Sequence, residues 1–178
     1  MQYGSVTSLR LFAFSDLNRI ELCTFWKSVT PTMQIMKTIL IIEDTEPILD
    51  NLTEYFEMEG FKIIGARNGK IGIELAEALT PDLIICDVLM PEMDGYQVLD
   101  ALMHRAKTFE IPFIFSTSMS EIGNIEQGLK HGADDYIIKP FDLEDLLKMA
   151  NSWINSGSLR HQASRKEMIA GPSQRQTH

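Results

Sequence analysis

The sequence predicts a doubly wound α/β fold: one five-stranded parallel sheet with helices on both faces. Three observations carry that expectation. Apolar runs such as Ile39-Leu40-Ile41-Ile42 and Leu83-Ile84-Ile85-Cys86 are unbroken rather than alternating, as in strands buried on both faces. Such runs alternate five times with segments of helical period, the pattern of a parallel sheet threaded by crossover helices. Several runs also end on reactive side chains: Glu43-Asp44, Asp87, Thr117 and Lys139. In open α/β sheets the functional crevice lies beyond the carboxyl ends of the strands.

Taken in order, residues 38–42 form the first strand. Thr45 stands at a helix N-cap position with Pro47 in the first turn. Ile48, Leu49, Leu52, Tyr55 and Phe56 give that helix an apolar stripe, and Gly60 ends it. Residues 61–65 read as a short strand. Asn68-Gly69 turns the chain, and Ile71, Leu75, Ala78 and Leu79 mark the inward side of a second helix. Pro81 precedes the strand that ends on Asp87. After the loop Met90-Pro91-Glu92-Met93-Asp94-Gly95, a third helix faces inward through Val98, Leu99 and Leu102. Residues 111–115 form the fourth strand, followed by Ser116-Thr117-Ser118. A fourth helix runs from Ser120 to about Lys130; Gly123 and Gly128 cost it about 1 kcal/mol each relative to Ala, so it is expected to be the least stable. Tyr136-Ile137-Ile138 is the fifth strand. Asp142 caps a last helix whose buried side is Leu143, Leu146, Leu147, Ala150 and Ile154. Right-handed crossovers leave few topologies, and the flavodoxin-like strand order 2-1-3-4-5 with five helices fits best.

The 178 residues and 44% apolar content suit a single packed domain with appendages. No apolar run approaches the length of a membrane helix. The net charge of −9 is uneven: residues 1–35 carry +1, residues 155–178 carry +3, and the middle holds −13. An acidic middle argues against direct nucleic-acid binding and suits carboxylates gathered around a metal. Cys23 and Cys86 suggest neither a disulfide framework nor a zinc site, so a reducing cytoplasm is the expected setting. Residues 1–35 show no sustained period and no convincing signal peptide. They are read as an extension outside the fold, with translation beginning naturally at Met36. The fold itself is assigned to residues 36–154, and residues 155–178 to a disordered basic tail. His104, His131, His161 and His178 have no ligand spacing and are read as surface residues.

In the strand order 2-1-3-4-5 the ends bearing Glu43, Asp44, Asp87, Thr117 and Lys139 converge. Three carboxylates packed together stay ionised only if a cation joins them. An all-oxygen ligand set with room for water and phosphate oxygens suits Mg²⁺. Lys139 adds a positive point charge and Thr117 a hydroxyl donor. The set describes a place where Asp87 attacks a phosphoryl group.

With those residues in view, the stretch from about Lys37 to Ile154 resembles the receiver domain of bacterial two-component response regulators. The matching pieces are Glu43-Asp44, Asp87 within CDVLMPEMDG, Thr117 after IPFIF, and GADDYIIKPF ending on Lys139. The resemblance implies that Asp87 accepts a phosphoryl group from a histidine kinase or a histidine phosphotransfer protein. It implies that Glu43, Asp44, Asp87 and the Leu89 backbone carbonyl hold Mg²⁺, and that Lys139, beside a cis Lys139-Pro140 bond, pairs with the phosphoryl group. Thr117 is then expected to move toward the phosphate and Tyr136 to rotate inward. The face formed by the fourth helix, the fifth strand and the last helix would change shape for a downstream protein, and weak pairing of two copies through it is also expected.

The sequence departs from the family at two places. Ser118 stands where Ala is common. Leu89 and Met119 occupy positions that tune loss of the phosphate, and neither apolar side chain can orient an attacking water, so a long-lived phosphorylated form is expected. No segment after residue 155 is long enough for an output module, so a stand-alone receiver is expected, with a truncated longer regulator as the alternative. Two other readings compete. An aspartyl phosphatase of the haloacid dehalogenase type would want a second acid where Leu89 stands, and its nucleophile on the first strand. A receiver-like scaffold that binds partners without phosphorylation would not need the acid and lysine set.

Overall fold

The computed structural model describes residues 36–118 and 132–158. The expectations for residues 1–35, for Met119, for the helix over 120–130 and for the chain beyond Ser158 fall outside them. The elements are β1 (Thr38–Ile42), α1 (Glu46–Met58), β2 (Lys62–Ala66), α2 (Gly69–Leu79), β3 (Leu83–Asp87), α3 (Gly95–Met103), β4 (Phe113–Ser118), β5 (Asp135–Lys139) and α4 (Leu143–Ser156). The strands form one parallel sheet in the order β2-β1-β3-β4-β5, as the sequence predicts.

Side chains alternate across each strand, so the buried strands feed two cores at once. On one face Leu40, Ile42, Ile84, Cys86, Phe113 and Phe115 meet Ile73 and Ala76 of α2 and Val98, Leu99 and Leu102 of α3. On the other, Ile39, Ile41, Leu83, Ile85 and Ile114 meet Leu49, Leu52 and Phe56 of α1 and Leu146 and Ala150 of α4. This double burial is why the runs read as continuously apolar. The last helix buries its expected side, with Leu146 and Ala150 innermost.

Helix boundaries follow local chemistry. Asp94 caps α3 in a reciprocal capping box with Gln97. The Asp142 carboxylate accepts from the Glu144 N–H at the start of α4. Gly60, at φ +90°, follows the last turn of α1 and ends it as expected.

Thr45 occupies the N-cap of α1 as expected, though it makes no side-chain capping bond. Four sequence expectations are corrected. Asn68 is the N-cap of α2 rather than a turn residue, its side chain accepting from the Ile71 N–H at 2.9 Å. The buried side of α2 is Gly69, Gly72, Ile73 and Ala76, whereas Ile71, Ala78 and Leu79 are exposed. Small residues there let the helix sit close on the sheet: a Cβ on Gly72 would stand 2.5 Å from Ile42 Cδ1. Finally, β4 takes in Ser116, Thr117 and Ser118, which pair with β5, and α4 continues through Asn155 and Ser156, into the predicted tail, until Gly157 at φ +74° caps it.

Candidate functional site

The sheet register places the site. Asp87, last in β3, is the register partner of Ser116, and Lys139, last in β5, is the partner of Ser118. Asp87 follows Leu83 and Ile85 in alternation, so its carboxylate lies on the α1 and α4 side of the sheet. Glu43 continues β1, its N–H donating to the Ala66 carbonyl at 2.9 Å. Glu43 is 1% exposed and Asp87 9%, while Asp44 is half-buried. One carboxylate oxygen from each of Glu43, Asp44 and Asp87 lies within 4.8 Å of the others. The Lys139 ammonium sits against them, 2.7 Å from Glu43 Oε2 and 3.2 Å from Asp87 Oδ1.

These charges act on one another. Burial and then the Glu43 charge push the Asp87 carboxyl up to about 6, against the opposing pull of Lys139. Burial pulls the Lys139 ammonium down, but its hydrogen bond to Glu43 and the charges of Asp87 and Glu43 outweigh that and raise it. Three carboxylates face one ammonium, and the crevice keeps a negative excess. Three converging hard oxygens are the donor chemistry that Mg²⁺ prefers.

The loop after Asp87 is held in place from both ends. The Gly95 N–H donates to the Val88 carbonyl at 2.9 Å, and that of Met93 to the Pro91 carbonyl at 2.8 Å. Gly95 approaches the site so closely that a Cβ there would stand 2.5 Å from the Asp87 carbonyl oxygen. Leu89, two residues past Asp87, is exposed in this loop. Lys139-Pro140 is cis, as expected.

The other predicted residues lie around this centre. Thr117 is buried in β4 on the same side as Phe113 and Phe115, its hydroxyl donating to the Ser118 carbonyl at 3.5 Å. Tyr136 is half-buried and packs on the core beneath α2 and α3; its register partner is Phe115. Ser118 is half-buried beside Lys139.

Two features escaped the sequence reading. Ser116, neighbour of Asp87 across the sheet, is 2% exposed, and its hydroxyl has no hydrogen-bond partner among the described residues. The apolar run stops at Phe115, which hid the fact that the strand continues. The Asp135 carboxylate accepts from Trp153 Nε1 at 2.9 Å, tying α4 to β5. No local pattern marks a pair this far apart in sequence.

A family model described as the response regulator receiver domain matches residues 39–151. The chain belongs to that family. Among curated receivers, Protein PilH of Pseudomonas aeruginosa is 36% identical over 117 residues, which is 66% of this chain and 97% of PilH. The DNA-binding dual master transcriptional regulator RpaA of Synechocystis is 36% identical over 134 residues, covering 75% of this chain and 56% of RpaA. The chain spans about half or less of the length of several curated relatives it matches. The receiver domain of sensor histidine kinase PA1611 of Pseudomonas aeruginosa, solved with magnesium coordinated in its active-site cleft, is 27% identical with a TM-score of 0.62, covering 68% of this chain and 99% of that one. The receiver family supports a signalling domain over the aspartyl phosphatase reading. Among the described residues, no helix is long and apolar enough to cross a membrane.

Proposed function

We propose that this receiver takes a phosphoryl group onto Asp87 from the phosphohistidine of a histidine kinase or a histidine phosphotransfer protein. The observation that carries the reading is the position of Lys139, within 3.2 Å of Asp87 and 2.7 Å of Glu43, beside a cluster of three carboxylates. Asp87 Oδ attacks phosphorus as the imidazole nitrogen leaves, and the ammonium of Lys139 turns from the carboxylates to an oxygen of the transferred group. Glu43, Asp44, Asp87 and the Leu89 carbonyl are the ligands for Mg²⁺, which when bound neutralises charge on the phosphoryl oxygens. The Thr117 hydroxyl swings toward the new phosphate, and Tyr136 turns into the space it leaves. The face that includes β5 and α4 then presents a changed surface to a downstream protein.

Incubation with acetyl phosphate and Mg²⁺ tests this. The expected product is a stable mass increase of one phosphoryl group on Asp87, abolished by Asp87→Asn. Catalytic turnover of acetyl phosphate without a stable product would favour a phosphatase. No label at all would leave a binding scaffold.

A further inference from the structure

Beside Lys139 an apolar groove of ≈ 710 Å³ runs between α1 and the head of α4, floored by Pro47, Ile48, Leu52, Pro140, Phe141 and Leu143. Through Asn51 and Leu143 it continues into a smaller hollow at Glu54, Tyr55 and Met58. The hollow is acidic: Glu54 lines it, and the Tyr55 phenol there is raised above its usual range by burial and then by the charges of Glu59, Glu144 and Asp142. The two nearby ammonium groups are already engaged: Lys139 with Glu43 and Asp87, and Lys148 with Glu144 and Asp145. An occupant of this groove must bring apolar side chains flanked by positive charge.

The chain carries such a segment itself. Arg160, Arg165 and Lys166 are followed by Met168-Ile169-Ala170 within residues 159–178, a stretch with four basic groups and one acidic. The 14 residues of α4 make it about 21 Å long, so the groove at its head lies that far back from the point where the helix ends. The nine residues 159–167 reach up to about 30 Å when extended, enough to run back past the acidic hollow and deliver Met168, Ile169 and Ala170 to Phe141 and Leu143. The charge order matches as well, since the basic residues come first along the return path. We propose that residues 159–178 dock in this groove as its intramolecular occupant, the basic residues beside Glu54 of the hollow and the apolar trio on the floor.

The test uses the full chain. Asn51, exposed on the groove, becomes Asn51→Cys carrying a benzophenone maleimide, on a Cys23→Ser background; Cys86 is buried and stays unlabelled. Isotopically light and heavy chains are mixed before irradiation, and tryptic peptides are mapped. The expected result is an adduct on the peptide of residues 167–175 that joins light to light and heavy to heavy only. Reversing Arg160, Arg165 and Lys166 to Glu, which leaves the same segment in the longer tryptic peptide 149–175, should lower the yield of the tail adduct about tenfold, as should high salt. The same label at Ile71→Cys, on α2 across the sheet, should give none. No adduct on the tail, an adduct joining light to heavy (a second copy in the groove), equal yield from Ile71→Cys, or a yield indifferent to charge reversal would each overturn the proposal.

Discussion

Lys139 and Glu43 form an ion pair at 2.7 Å in which the carboxylate is almost wholly withdrawn from water. The same ammonium is 3.2 Å from Asp87, so one cation serves two buried anions. Removing it strands both. Lys139→Met should therefore lower stability by about 2–3 kcal/mol in metal-free buffer, because uncompensated buried charge costs more than an ordinary lost contact. Mg²⁺ should recover part of that loss. Urea titrations with and without Mg²⁺ measure both effects; a variant as stable as the parent in EDTA would contradict the account.

The state of Asp87 gives stability a pH signature. Its carboxyl is raised from 3.8 to about 6 in the fold, so between those values the folded chain binds the proton more tightly than the unfolded one. Stability therefore falls as pH rises through this window and stays lower above it. Asp87→Asn removes the burden. It should stabilise the metal-free protein above pH about 6 by on the order of 1 kcal/mol, after allowing for solvent screening on the open side, and the gain should vanish below pH about 4. Melting temperatures across that range in EDTA check the sign.

The half-buried member of the acid cluster separates metal binding from folding. Asp44 has no ion-pair partner among the described residues, whereas Glu43 is held by Lys139. Asp44→Asn should leave the metal-free melting temperature nearly unchanged. In the parent, Mg²⁺ at a hundredfold excess over its dissociation constant should add about 2.7 kcal/mol, and most of this should be lost in the variant. Thermal melts over a Mg²⁺ series would expose an equal response in both proteins, which would remove Asp44 from the ligand set.

How much of this was legible follows from what each residue type must do. Strands buried on both faces announce themselves by composition, and the acids and lysine at their ends follow from the register, so the sheet order and the Glu43, Asp44, Asp87 and Lys139 cluster could be read directly. The face of α2 could not. Its apolar stripe Ile71, Leu75, Ala78, Leu79 looks like a core face, yet the helix buries Gly69, Gly72 and Ala76 because close approach to Ile42 leaves no room for larger groups. Periodicity counts hydrophobicity and does not see the distance between layers. β4 was misplaced for a related reason: its last three residues are hydroxylated, and only the neighbouring strands show that they belong to the sheet.

Loss of phosphate should be slow. Leu89 is exposed two residues past Asp87, and its apolar side chain, like that of Met119 in the sequence, is poorly suited to orient a water toward an acyl phosphate. Met119→Asn supplies both a donor and an acceptor and should speed hydrolysis of the isolated phosphorylated protein by about tenfold, less than the full effect of a positioned general acid or base. Decay of the phosphorylated mass with time measures it. Rapid loss from the parent, or no acceleration in the variant, would show that water is positioned by something else.

Ser116 offers a different kind of check, because its hydroxyl is buried beside Asp87 and has no hydrogen-bond partner among the described residues. An unmade hydrogen bond of this kind costs about 1–3 kcal/mol relative to an apolar group of similar size. Ser116→Ala should therefore stabilise the unphosphorylated protein by about 1 kcal/mol, with Mg²⁺ affinity unchanged. The informative comparison is with the phosphorylated form. If the hydroxyl acquires a partner in the phosphorylated form, the variant's advantage disappears or reverses there, and Ser116 takes part in the response to phosphorylation. If the advantage is equal in both forms, the serine is a local imperfection in the core that phosphorylation does not reach.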